Sequence, residues 1–75
     1  MKVFYDDEVD ALYIKLGEEN PAGVIEIGEG INMDTTTDNK IVGIEILNAS
    51  EKIDLKTMLT YSLEFKKELI TQKSA

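Results

Sequence analysis

The densest set of groups able to do chemistry in this 75-residue chain is Tyr5-Asp6-Asp7-Glu8-Val9-Asp10. Carboxylates this close can act as general acid and base, or surround a hard divalent cation with oxygen. A metal or small-ligand site on Asp6 and Asp10 is the chemical reading of the segment. Short acidic side chains also accept hydrogen bonds from neighbouring backbone N–H groups and so close turns. Turn closure accounts for every residue here without a substrate. The segment Asp34 to Lys40 (DTTTDNK) superficially looks like a calcium loop. It lacks the alternating ligands, the turn glycine and the distal glutamate, and reads as a hairpin. Gly28-Glu29-Gly30 precedes neither a lysine nor a helix start, so it is a turn and not a phosphate cradle. Asn48-Ala49-Ser50 has the form of a glycosylation acceptor, but no secretory signal accompanies it.

The residue types that are missing narrow the chemistry further. The chain has no histidine and no cysteine. The usual proton shuttle at neutral pH, the usual nucleophile–base pairs and thiolate metal sites go with them. Serine occurs only as Ser50, Ser62 and Ser74, where capping, a helix surface and a tail account for it. The expectation is a protein that is not an enzyme, with no catalytic residues and no cofactor.

Charge narrows the partners. The net charge is −7, and it is unevenly spread. Residues 1–50 hold eleven acids against Lys2, Lys15 and Lys40, whereas 51–75 hold four acids against five lysines. All eight basic residues are lysine. Phosphate recognition favours arginine forks and a positive field, so nucleic acid is not an expected partner. An acidic body repels anionic membranes and attracts basic proteins. No stretch approaches the ~20 apolar residues of a membrane span, and the acidic N-terminal segment lacks a signal-peptide core. A cytoplasmic protein is expected.

Short apolar runs separated by turn residues fill the first two-thirds of the chain, which is a strand pattern. Strands are expected at 3–5, 11–16, 24–27, 31–35 and 41–47. Links this short make neighbouring strands antiparallel. The fold class is therefore α+β, one domain over 1–75. It is expected as an antiparallel meander of about five short strands over 1–47, with a C-terminal helical segment over 48–75 packed on one face. Asn48 with Glu51 reads as a helix start in the manner of a capping box, with a second start at Asp54. A helix from about Leu55 to Gln72 is favoured, although Tyr61, Leu63 and Phe65 alternate as a sixth strand at 60–65 would.

Alternation sorts the strand residues onto two faces. Leu12, Ile14, Leu16, Ile25, Ile27, Ile31, Met33, Val42, Ile44 and Ile46 form the face to be covered. The second face carries Phe4, Tyr13, Val24, Glu26, Ile41, Gly43, Glu45 and Leu47, which is too apolar for a plain solvent face. An apolar patch with an acidic rim marks a contact surface. The candidate interface is Phe4, Tyr13, Val24, Ile41, Gly43 and Leu47. Gly43 lies inside the best strand, where glycine costs stability. It is expected to admit a neighbouring aromatic such as Tyr13, with a bulge or a partner's backbone as alternatives. Self-association as a dimer and binding of a basic protein, as an antitoxin binds a toxin, are the two forms of contact that fit.

Two segments also carry a resemblance. Tyr5-Asp6, then Asp10-Ala-Leu-Tyr-Ile14, and later Gly43-Ile-Glu-Ile-Leu-Asn-Ala-Ser50, resemble the small prokaryotic family known as domain of unknown function 2283. The match covers most of residues 1–50. Asn39 departs from it, where members often carry glycine, but asparagine also accepts positive φ. The resemblance implies a small α+β fold and supplies no catalytic residues.

Overall fold

The computed structural model describes residues 1–60; the expected helix from about Leu55 to Gln72 and the alternative strand at 60–65 lie, beyond residue 60, outside those described. Among the described residues, five strands, β1 (Lys2–Asp6), β2 (Ala11–Lys15), β3 (Gly23–Gly28), β4 (Ile31–Thr35) and β5 (Ile41–Leu47), form one open sheet. Every pairing is antiparallel. Two short helices follow, α1 (Ala49–Lys52) and α2 (Leu55–Leu59). The α+β class expected from the sequence is the one observed.

The strand order departs from a simple meander. It runs β1-β2-β5-β4-β3, so β2 pairs with β5 instead of β3. A meander would leave β5, the longest and most β-branched strand, at a sheet edge. Insertion between β2 and β4 pairs both of its sides. The link over residues 16–22 makes this possible. Seven extended residues reach ~23 Å, more than the ~15 Å across three strand spacings. Both ends of the link are tied down: Leu16 N and Gly17 N donate to Val42 O, and Ala22 N donates to Thr35 O.

Register assigns the faces. Val3, Ile14, Ile44, Met33 and Ile25 lie side by side across all five strands on the first face. Tyr5, Leu12, Ile46 and Ile31 form the adjacent row. Leu12 is 1% exposed, and Val42 and Ala49 are also buried. Leu55 and Met58 of α2 lie over the β1–β2 end of this face, enclosing a groove of about 410 Å³ with Val3, Tyr5 and Leu12. At the other end, Ile25 and Ile27 remain exposed.

The helix starts differ from expectation in one instructive way. Asp54 caps α2 as expected, accepting from Lys56 N at 3.0 Å. Asn48 does not cap α1. It takes a left-handed conformation, φ 52°, and its side chain makes no capping bond. Asp10, forty residues earlier, does the work. Its carbonyl accepts from Ala49 N at 2.9 Å, and its carboxylate accepts from Ser50 N at 3.0 Å and Ser50 Oγ at 2.6 Å. The Tyr5 hydroxyl donates to the same carboxylate at 2.7 Å. One aspartate thus ties β1, the β1–β2 turn and α1 together, and aims the chain at the first face.

These donors hold the Asp10 carboxyl below the usual aspartate range, the Ser50 hydroxyl first, then Tyr5, then the Ser50 N–H. A lowered folded-state value means stability that is complete above the unfolded value, ~3.9, and drains as pH falls through the folded one. Replacing Asp10 with Asn is expected to lower the melting temperature at neutral pH and to make its fall with acid shallower. Melts followed by circular dichroism across an acid series check this. An unchanged acid profile would contradict it.

Candidate functional site

On the second face, Phe4, Tyr13, Glu45, Asn32 and Glu26 lie side by side across the five strands. The next row is Lys2, Lys15, Gly43, Asp34 and Val24. Period-two alternation from these pairs places Leu47 and Ile41 on the same face, at opposite ends of β5. All six residues expected at an interface therefore share one side of the sheet.

They do not form one patch. Phe4 (53% exposed) and Val24 (65%) stand on the two edge strands, with Ile41 (46%) and Leu47 (39%) at the strand ends. Asp34 and Glu45 occupy the inner strands β4 and β5, and Glu26 stands near Val24 on the β3 edge. The expected apolar patch with an acidic rim is the reverse of what the pairing gives, an acidic centre with apolar margins. The reason lies in β4, whose Asn32 and Asp34 share this face with Glu26 and Glu45. Asn32 and Asp34 are not among the second-face residues expected from the sequence. The alternation of Ile31, Met33 and Thr35 against them was the signal that could have found them.

Tyr13 and Gly43 are engaged with each other. A Cβ at Gly43 would overlap the Tyr13 ring and hydroxyl. The ring lies across β5 through that space, and its hydroxyl donates to Asp34 Oδ2 on β4 at 2.9 Å. This is the close aromatic approach expected for Gly43. Beside it, Asn32 Nδ2 donates to Glu45 Oε1 at 3.2 Å. The Asp34 hydrogen bond, then burial, then the charges of Asp34 and Glu45 push the Tyr13 hydroxyl above its ordinary value. Tyr13 is therefore a neutral donor at physiological pH.

The acidic turn has another use. Asp6 Oδ1 accepts from Glu8 N at 3.0 Å, closing the turn. Asp10 has both carboxylate oxygens on Tyr5 and Ser50. Among the described residues, no group of three or more His, Cys, Asp or Glu is placed to hold a metal ion. The hairpin at 36–40 closes through Thr36, whose backbone N donates to Lys40 O and whose Oγ1 donates to Asp38 Oδ1 at 2.5 Å. Asn39 takes the positive φ, 63°. No helix among the described residues is long and apolar enough to cross a membrane.

A family model described as "Protein of unknown function (DUF2283)" matches residues 2–50. No curated protein and no solved structure matches the chain.

The Tyr13–Gly43 contact makes a direct prediction. Gly43→Ala is expected to displace the ring, break the bond to Asp34 and cost about 1–3 kcal/mol, the usual range for overpacking. Urea denaturation measures it. A variant as stable as the parent would show that the ring has room to move.

Proposed function

The chain belongs to the DUF2283 family of proteins of unknown function, and from that starting point we propose a non-enzymatic association module whose second sheet face receives a basic protein. The observation that carries the reading is the placement of Glu26, Asp34 and Glu45 on one face, the last two on inner strands, with exposed apolar side chains at its margins. Asn32 and the Tyr13 hydroxyl hold two of these carboxylates by one hydrogen bond each. Their remaining lone pairs are oriented and open to a cationic side chain. The margins supply what charge alone does not. Phe4 and Val24 are large, exposed and apolar, and contacts of that kind contribute most of the affinity in an interface, while charge sets encounter rate and choice of partner.

The body's charge supports the same partner, since residues 1–50 carry eleven acids against three lysines. Lys15, which shares a row of this face with Asp34, is paired with Glu18 at 3.3 Å. An acidic protein that masks a basic one, as antitoxins do, is one form such a module takes. The non-enzymatic part of the reading rests on side chains already committed to structure. Asp10, Tyr13 and Ser50 are each engaged within the fold, and the chain has no histidine or cysteine to replace them.

Immobilised wild-type protein, exposed to lysate of the source organism, is expected to retain a basic protein that elutes with salt. Reversing Glu26 and Glu45 to Lys should weaken that capture about a hundredfold or more, since like-charge contacts cost several kcal/mol. The melting temperature should change little. Equal capture by both proteins, or none by the wild type, would contradict the proposal.

A further inference from the structure

The β1 edge is chemically self-complementary. Read in order, the strand is Lys2-Val3-Phe4-Tyr5-Asp6. Among the described residues it is a terminal strand of the sheet, and all five of its residues are exposed. Turning a second copy by a two-fold axis at Phe4 sets Lys2 opposite Asp6 of the copy, at both ends of the pair. Val3 then faces the copy's Tyr5 on the apolar face, and the two Phe4 rings meet on the other. Among the described residues, neither Lys2 nor Asp6 has an ion pair within its own chain.

The backbone suits the same register. Leu16 N donates to Val42 O on β5, so by alternation the even residues of β2 point to β5 and the odd ones to β1. Their partners Lys2, Phe4 and Asp6 are thereby turned inward. The N–H and C=O groups of Val3 and Tyr5 are left pointing outward. In a two-fold pair centred on Phe4, Val3 meets the copy's Tyr5, and each such pair exchanges both hydrogen bonds. Phe4 against Phe4 becomes the non-hydrogen-bonded pair, where side chains approach most closely. Backbone, charge and aromatic matching all select one alignment.

We infer that two copies of this chain pair antiparallel through β1, with Phe4 on the two-fold axis, to make one continuous ten-stranded sheet. The first-face rows then run on from Ile14 and Val3 of one copy to Tyr5 and Leu12 of the other. Pairing stops at two copies because the opposite edge is unlike the first. β3 has a register shift between Glu26 and Gly28, and such bulges oppose edge pairing. It also has a single charge, Glu26, with no cation to meet it. A single strand pair is small beside the ~1,600 Å² of a standard interface, so the dimer is concentration-dependent. This edge shares Phe4 with the margin of the acidic face but none of its carboxylates, and the inference does not require the basic partner.

Sedimentation velocity over a concentration series reaching millimolar is the test. The wild type is expected to pass from monomer to dimer. Lys2→Glu and Asp6→Lys should each weaken self-association about tenfold or more, since each sets like charges opposite one another at both ends. Mixing the two variants should restore the dimer, because every cross-strand pair in the mixed species is of opposite sign. Val3→Pro should abolish pairing with the fold intact, since an edge strand tolerates proline where the N–H faces outward. If Asp6→Lys fails to fold by circular dichroism, Lys2→Glu and Val3→Pro decide the matter. A wild type that stays monomeric, or variants that dimerise like it, would overturn the inference. Capture of a basic protein by a monomer would overturn this pairing alone and leave the acidic-face reading standing.

Discussion

The absence of a side chain at Gly43 is the constraint on which the sheet depends. It lets one ring from β2 lie across β5 and bond to β4, so a single side chain spans three strands. A one-residue slip of β5 would bring Val42 or Ile44 beneath that ring and turn every apolar residue of β5 outward. Glycine normally weakens a strand. In this position it fixes register, and the cost is offset by an aromatic contact and a hydrogen bond to a carboxylate.

Asp10 does for the chain path what Gly43 does for register. Its backbone adopts positive φ, 55°, a conformation aspartate tolerates better than most residues. From there its carboxylate reaches Tyr5 and Ser50. The positions that carry the family resemblance, including Tyr5, Asp10, Tyr13, Gly43 and Ser50, are therefore the ones spent on holding the fold. That pattern specifies a scaffold. The proposed contacts fall to side chains between those positions, chiefly the acids of β3, β4 and β5 and the exposed strand β1.

Much of this was legible in the sequence because strand periodicity is local. The bounds of β4 and β5, the turn at Asn39, the start of α2 at Asp54 and the partition of apolar residues between two faces all follow from neighbours a few residues apart. So did the pairing of Gly43 with an aromatic, since a glycine within a strongly β-branched run needs something to fill its place. Strand order was not legible. A link of seven residues permits several destinations, and only the burial of β5 from both sides selects one. The capping of α1 was hidden for a related reason. Asn48 and Glu51 satisfy the local rule, yet Asp10 satisfies it better from forty residues away. The acidic centre of the second face needed cross-strand register, which no single strand reveals.

Taken together, a register-locked sheet presents acids in its middle, apolar side chains at its margins and a self-complementary strand at one edge. The proposed role of the acidic middle is to receive a basic chain. Titrating the ¹⁵N-labelled protein with a lysine-rich peptide, and following amide shifts by NMR, tests it most directly. Shifts are expected at Val24, Glu26, Asn32, Asp34 and Glu45, and they should disappear on adding salt. Shifts confined to the Asp6–Asp10 turn, or none at all, would contradict it.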